Sequence, residues 1–323
     1  MISATREKII IYFNHASIII GMILIVKNAT IKRSGSDLIV SWDNTVKHIS
    51  TLDLEMLIVV GNNVNLSSSV INFLSSLNIP VLIHGKKVDT ILVTPFVNTI
   101  SEVRRKFYTL DEGSQILLAK RFIEGKIKGM LNVARYFSYI DKLEVKNIEI
   151  RLRVNDKKSL ILEEAELSKE AWEELRKFMP KTFQGRKPRG DDPINRAIDY
   201  AYSIIYTLST HAVIAAGLDP YAGLLHSNHP GRPSLVYDFS EMFKPVAIHT
   251  VIAVSRRSNL SLDNEGYLKK DGLEHITKHL YSILHKRRGK RSIRGEFYRK
   301  ANELKKFVLE ATDFQPFIYR PLA

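Results

Sequence analysis

Gly217-Leu218-Asp219-Pro220-Tyr221-Ala222-Gly223-Leu224-Leu225-His226, continued by Gly231-Arg232-Pro233-Ser234-Leu235-Val236-Tyr237-Asp238-Phe239-Ser240-Glu241-Met242-Phe243-Lys244-Pro245, is the stretch on which the reading of this chain turns. A long helix stops at Gly217, and a proline-containing turn redirects the chain. A short helical segment then presents His226, and a Gly-Arg-Pro loop leads into a second helix. Asp238 and Glu241 are three residues apart on that helix and therefore share a face. One histidine and two carboxylates brought together by a loop suit a hard or borderline divalent ion such as Mg²⁺ or Mn²⁺. His211 and His249 lie in apolar helical surroundings and read as structural histidines, and His229 reads as a loop residue.

Upstream, the texture changes twice. Asp192-Pro193 opens the helix that ends at Gly217, with the acid as cap and the proline in the first turn. Periodic apolar residues predict helices over Ile100–Leu110, Ser114–Gly125, Lys126–Leu143 and Glu163–Phe178, and downstream over Glu274–Leu284 and Phe297–Thr312. Before about Val93 the pattern is instead short Ile, Val and Leu runs between turn signals: Met22–Val26, Leu38–Trp42, Met56–Val60 and Ile79–Ile83, the last ending at Gly85. One helix, Ser67–Leu77, interrupts them. The expectation is an α+β chain of two domains, a small β-rich one over residues 1–95 and a larger all-α one over 96–323, with the boundary between Val93 and Arg104. Residues 1–21 read as an upstream extension, and Met22 as an alternative start.

Composition narrows the partner. In 323 residues, 48 Lys and Arg face 34 Asp and Glu, a formal net charge of +14. A chain this basic points to a polyanion. Cysteine is absent, which excludes disulfides, thiolate metal sites and a cysteine nucleophile, so any metal must sit on His and carboxylates. The longest apolar run, Ala16 to Val26, is too short to span a bilayer and reads as a strand. No membrane role is expected, and the chain reads as cytoplasmic. Lys286-Arg287-Arg288, Lys290-Arg291 and Arg294 form one dense basic run. Lys181, Arg186, Lys187 and Arg189 form a second, and Arg232 and Lys244 flank the carboxylates. Such side chains position a duplex through its phosphates without reading sequence. Tyr200, Tyr202 and Tyr206 read as core packing.

The whole stretch from Gly217 to Pro245 resembles the signature of the CRISPR-associated nuclease and integrase subunit of the spacer-acquisition complex. In that family a GLDPY-G-LH segment delivers a histidine ligand, matched by His226. A GRPSL-D segment, followed three residues later by an acid and then by F-P, delivers a carboxylate ligand, matched by Glu241. The family takes a third ligand, a glutamate, from a helix some sixty residues earlier. Glu164-Ala165-Glu166-Leu167-Ser168-Lys169-Glu170-Ala171-Trp172 matches its context, with Ala171 in place of the first aromatic and Leu167 in place of a small residue. Glu163 and Glu166 are the neighbouring alternatives. Phe183-Gln184-Gly185-Arg186 with Asp192-Pro193-Ile194-Asn195, Leu118 to Lys126, and Ile31 to Ser36 with Ile79-Pro80-Val81 extend the likeness from about Met22 to Lys244.

The resemblance implies metal-dependent DNA cleavage and joining. A 3′-hydroxyl of an incoming fragment attacks a phosphate at a repeat boundary, with Mg²⁺ or Mn²⁺ on the catalytic residues Glu164, His226 and Glu241. Asp238 is either a second carboxylate at the site or the residue that orients His226. No Tyr or Ser is expected to become attached to DNA. The implied partners are double-stranded DNA, a second copy of the chain paired through the β-domain, and a small protein bridging two dimers. Two other readings stay open: a metal-dependent nuclease that uses the same residues on branched or single-stranded DNA in repair, and a catalytically silent DNA-binding scaffold.

Overall fold

The computed structural model describes residues 17–20, 23–51, 54, 56–60, 63–77, 79, 81–84, 89–92, 100–226, 232–288 and 291–321. The chain divides into two compact units, residues 1–98 and 99–323. The expected extension over residues 1–21 lies outside the described residues save for 17–20. Met22, Gly85, His229, Gly231 and Lys290 lie outside them as well.

In the first unit, strands β1 (Ser17–Ile20), β2 (Ile23–Val26), β3 (Thr30–Ser34), β4 (Asp37–Trp42), β5 (Thr45–Ser50), β6 (Met56–Val60) and β7 (Asn65–Leu66) precede helix α1 (Ser68–Ser76). Strands β8 (Val81–His84) and β9 (Asp89–Leu92) follow it. They form a five-stranded sheet in the order β1-β2-β6-β8-β9 and a four-stranded sheet in the order β5-β4-β3-β7. β6 pairs in parallel with both β2 and β8. Met56, Leu57, Ile58 and Val59 are all buried, as a central parallel strand requires. β4 instead alternates, with Leu38 and Val40 in the core and Ile39 half-buried. Gly35 takes a left-handed φ of 61° in the tight β3–β4 turn, which a side chain would resist. Both sheets and α1 share one core, including Leu24, Ile31, Val40, Leu57, Leu74 and Val81.

The second unit is helical: α2 (Ile100–Tyr108), α3 (Glu112–Asp141), α4 (Lys157–Arg176), α5 (Pro193–Ala215) and α6 (Ser234–Ser240). A 3-10 turn, Glu241–Phe243, joins α6 to α7 (Lys244–Ser255). α8 (Lys270–His285) leads into a hairpin of β10 (Arg287–Arg288) and β11 (Arg291–Ser292), and α9 (Ile293–Glu310) follows. Aspartates cap α3, α4 and α5: the side chains of Asp111, Asp156 and Asp192 accept from the backbone N–H groups of Ser114, Ser159 and Ile194. The β-rich unit followed by a helical unit agrees with the fold class read from the sequence.

Three local readings are corrected. The segments Ser114–Gly125 and Lys126–Leu143 are one 30-residue helix, α3. Gly125 does not break it, because glycine here is a packing notch. A Cβ on Gly125 would stand 2.7 Å from the Phe317 carbonyl oxygen, and one on Gly129 would stand 2.6 Å from Pro245 Cγ. α4 starts at Lys157, six residues before Glu163, because Asp156 caps it. His226 is not on a helical segment, since residues 224–226 are bends.

The residues after α9 close the helical core. Phe243 stacks between Phe297 and Phe317, with ring centroids 3.6 and 4.7 Å away. Phe314 meets Phe122 of α3 edge-on at 5.6 Å.

Candidate active site

Two helices, a 3-10 turn and one loop meet around a pocket of about 680 Å³, whose walls include Glu164, His226, Glu241, Lys126, Lys157 and Lys158. α4 brings Glu164, and the 3-10 turn after α6 brings Glu241, which is buried. The loop after α5 brings His226. All three residues expected to act together therefore line one cavity.

Asp238 explains how a loop can hold a histidine there. It is 1% exposed, on α6, and its carboxylate takes four donors. Oδ2 accepts the backbone N–H of Leu224 at 2.6 Å and of Leu225 at 2.9 Å. Oδ1 accepts the backbone N–H of His226 at 3.1 Å and also contacts His226 Nδ1. The buried charge is thus compensated by three amides and a ring. With Nδ1 held, Nε2 is the ring atom that can ligate. Burial disfavours a charged His226 ring. Asp238, through its hydrogen bond and its charge, together with Glu241, outweighs that, and the pKa is raised above the usual histidine value.

Glu241 and Glu164 share a cation supplied by the chain. Lys126, from the middle of α3, lies 2.5 Å from Glu164 Oε1 and 3.0 Å from Glu241 Oε2. The other Glu241 oxygen, Oε1, accepts from Lys244 Nζ at 2.5 Å. Ser168, one turn along α4, donates to Glu164 Oε1 at 2.6 Å. Burial works against the Glu241 carboxylate, but Lys126, Lys244 and His226 hold its pKa well below the usual carboxylate range. Burial likewise works against the Lys126 ammonium. The charges of Glu241 and Glu164 outweigh it and keep the lysine pKa above its ordinary value.

Among the described residues, no group of three or more His, Asp and Glu side chains is gathered tightly enough to hold a metal ion. The expected ligands face one pocket, with an ammonium between two of them. Their chemistry nevertheless fits a divalent cation. The donors are two carboxylates and an imidazole. Glu241 Oε2 is buried, and its contact with Lys126 lacks hydrogen-bond geometry. The pocket therefore has a place that a positive charge already occupies.

The basic residues divide by what they touch. Arg186 is committed internally, to Asn195 Oδ1 at 3.0 Å, to the Lys187 carbonyl at 2.9 Å and to Asp199. Its guanidinium also lies over the Tyr202 ring, as does the Lys244 ammonium. Arg232 lies over the Tyr237 ring. Lys181, Lys187, Arg189, Lys286 and Arg287 are exposed. Arg288 and Arg291 pair across the β10–β11 hairpin, and Arg294 is half-buried on α9. Tyr202 is buried, and Tyr200 bonds to Thr277, so both pack rather than face a ligand. His211, half-buried, contacts the Tyr298 hydroxyl, and the buried His249 lies 2.6 Å from the Tyr319 hydroxyl.

Sequence reasoning did not nominate Lys126, Lys157 or Lys158. A signal for Lys126 was present. It stands among Ile123, Ile127 and Met130, on the inward stripe of α3, where a lysine needs a buried partner. Lys157 and Lys158 open α4 at its positive end, where cations are unfavourable for the helix itself.

Comparison with known proteins accords with this architecture. A family model described as CRISPR associated protein Cas1 matches residues 22–282. The CRISPR-associated endonuclease Cas1 of Hyperthermus butylicus is 27% identical over 300 residues, covering 84% of this chain and 90% of that protein. Among solved structures, a casposase bound to integration product superposes with a TM-score of 0.74 at 21% identity, over 91% of this chain and 92% of that one. A Cas6-RT-Cas1–Cas2 complex superposes with a TM-score of 0.69 at 16% identity, over 94% of this chain and 36% of that one. The fold is thus the β-unit-plus-helical-unit fold that Cas1 proteins and casposases share. The chain belongs to the Cas1 family.

Proposed function

We propose that this protein is a divalent-metal-dependent DNA endonuclease and integrase of CRISPR adaptation, which inserts new spacers by 3′-hydroxyl attack at repeat-boundary phosphodiesters. The observation that carries the reading is the convergence of Glu164, His226 and Glu241 on one pocket, with Asp238 gripping the histidine ring and its loop. Family membership and the similarity to proteins named endonuclease and casposase support it.

Glu164, Glu241 and His226 Nε2 would hold Mg²⁺ or Mn²⁺. The ion would supply Lewis-acid polarisation of the attacking oxygen and charge stabilisation at the phosphoryl group. In the joining step the 3′-oxygen of the incoming strand forms a bond to phosphorus, and the bond from phosphorus to the target's 3′-oxygen breaks. The attacking hydroxyl loses its proton, and the departing 3′-oxygen gains one. One phosphodiester replaces another, so no energy-carrying co-reactant is needed. Water in place of the hydroxyl gives cleavage. Asp238 occupies His226 Nδ1 and so would leave Nε2 as the ring atom for the pocket, and Lys244 holds the Glu241 carboxylate at Oε1. Lys157 and Lys158 at the pocket wall, with the exposed Lys181, Lys187, Arg189, Lys286 and Arg287, would carry phosphates of double-stranded DNA.

A second copy paired through the β-rich unit, and a small bridging partner, complete the assembly in this reading. The solved complex containing Cas1 and Cas2 supports the partner. Among the described residues no helix is long and apolar enough to cross a membrane. The reading places the protein in the cytoplasm, with the DNA.

The test is strand transfer into a supercoiled plasmid carrying repeat DNA, with Mn²⁺ and the partner, comparing fragments with free and dideoxy-blocked 3′ ends. Joining that needs both the free hydroxyl and His226 is the expected result. Nicking that ignores the 3′ end but needs His226 would favour the repair nuclease. Retained, salt-sensitive binding with no metal-dependent product would favour the scaffold.

A further inference from the structure

Each oxygen of the buried Glu241 carboxylate already faces an ammonium group: Oε1 faces Lys244, and Oε2 faces Lys126. A cation that contacts Glu241 must either displace one of these ammonium groups or enter against its charge. Lys244 is the better anchored, since its ammonium also lies 5.2 and 5.6 Å from the ring centroids of Tyr202 and Tyr206. Lys126 is held by the two carboxylates and lines the open pocket, which gives a displaced ammonium room to move. Its stem rises from the inward stripe of α3, between buried Ile123 and Ile127 and beside Met130. That helix packs closely at Gly125 and Gly129, where an added Cβ would meet Phe317 and Pro245, so the stem of the lysine rises from a tightly packed element.

We infer that Lys126 is the resident counter-ion of the Glu164–Glu241 pair, and that a divalent cation takes its place. A lysine on a helix that carries no ligand thereby sets the cation affinity of the site. The inference rests on the metal-site reading above. Its physical basis is charge competition. Two carboxylates facing one pocket attract a cation strongly, and an ammonium within 3.0 Å of both cancels much of that attraction until it is expelled. Lys126 is thus a positioning residue: it keeps the empty carboxylates in register and yields its seat on loading.

The test is titration of the DNA-free full-length protein with Mn²⁺, followed by the electron paramagnetic resonance signal of the free ion, which needs no catalysis. Lys126→Met is expected to bind Mn²⁺ at least about tenfold more tightly than wild type, because the competing charge is gone. Lys126→Arg keeps the charge and is expected to bind no more tightly than wild type. Should the methionine variant not fold, as read by circular dichroism, Lys126→Gln carries the same expectation. Equal or weaker binding in the uncharged variants, with binding lost in Glu164→Gln, would overturn the role of Lys126 and leave the metal site standing. No stoichiometric Mn²⁺ binding in any folded variant would overturn both.

Discussion

Asp238 and His226 are joined twice: the carboxylate accepts the backbone N–H of His226 at 3.1 Å and grips the ring of the same residue through Nδ1. One buried side chain therefore sets both where the loop runs and which way the imidazole faces. The amides of Leu224 and Leu225 on the other carboxylate oxygen extend that grip over the loop.

Asp238→Asn should damage folding and chemistry together. An amide keeps one acceptor oxygen but turns a donor towards groups that are themselves donors. The expected costs are about 2–4 kcal/mol of stability and about 10- to 100-fold in joining rate. Urea denaturation and strand-transfer kinetics check the two separately. A variant with wild-type values in both would remove Asp238 from the account of the site.

Gly129→Ala should destabilise, although alanine is the better helix former. Propensity alone favours the substitution by up to about 1 kcal/mol. The new Cβ would meet Pro245 Cγ at 2.6 Å, and overpacking of this kind costs about 1–3 kcal/mol. A raised melting temperature would mean that α3 and α7 separate easily at this contact.

Acid should weaken the helical unit through His211 and His249, neither of which lines the pocket. Burial pushes the His211 pKa down to about 4 and that of His249 down to about 3, the latter with help from the charges of His279 and Lys286. The unfolded chain then binds protons that the folded chain refuses. Stability is whole above the ordinary histidine value of 6.5 and is lost as pH falls below it, towards the folded values. At pH 5 each histidine should cost about 2 kcal/mol relative to pH 7.5. Urea midpoints across that range measure the loss, and His249→Gln should remove about half of the pH dependence. A flat profile would contradict the neutral state of both rings.

Double replacement of Lys286 and Arg287 by alanine should weaken DNA binding without sequence preference. Both are exposed, Lys286 just before β10 and Arg287 on it, so each can neutralise a phosphate. The slope of log affinity against log salt should become shallower by roughly 2 units. Fluorescence anisotropy at several salt concentrations measures it. An unchanged slope would assign this basic run to solvent.

The legible part of the site was the part written in consecutive residues. His226, Asp238 and Glu241 fall within sixteen residues, and their spacing around a turn and a helix carried the reading. The hidden part lies across helices. Lys126 meets Glu164 and Glu241 only because α3 packs on α4 and on the 3-10 turn, and no window of sequence contains that contact. Glycine misled for a related reason. In a window Gly125 reads as a stop, whereas the contacts that keep it inside one 30-residue helix come from Pro316 and Phe317, far along the chain.

The sequence by itself determined the order of a β-rich and a helical unit, the aspartate-capped start of α5, and the candidates Glu164, His226 and Glu241, which the fold brings to one pocket. These depend on side-chain period and local hydrogen bonding, which act over a few residues. Only the tertiary structure decided that Asp238 spends its oxygens on the His226 loop, that Arg186 is committed to Asp199, and that an ammonium sits between the two glutamates. A buried charge takes whichever partner packing brings within about 3 Å, and packing joins residues that the chain keeps far apart.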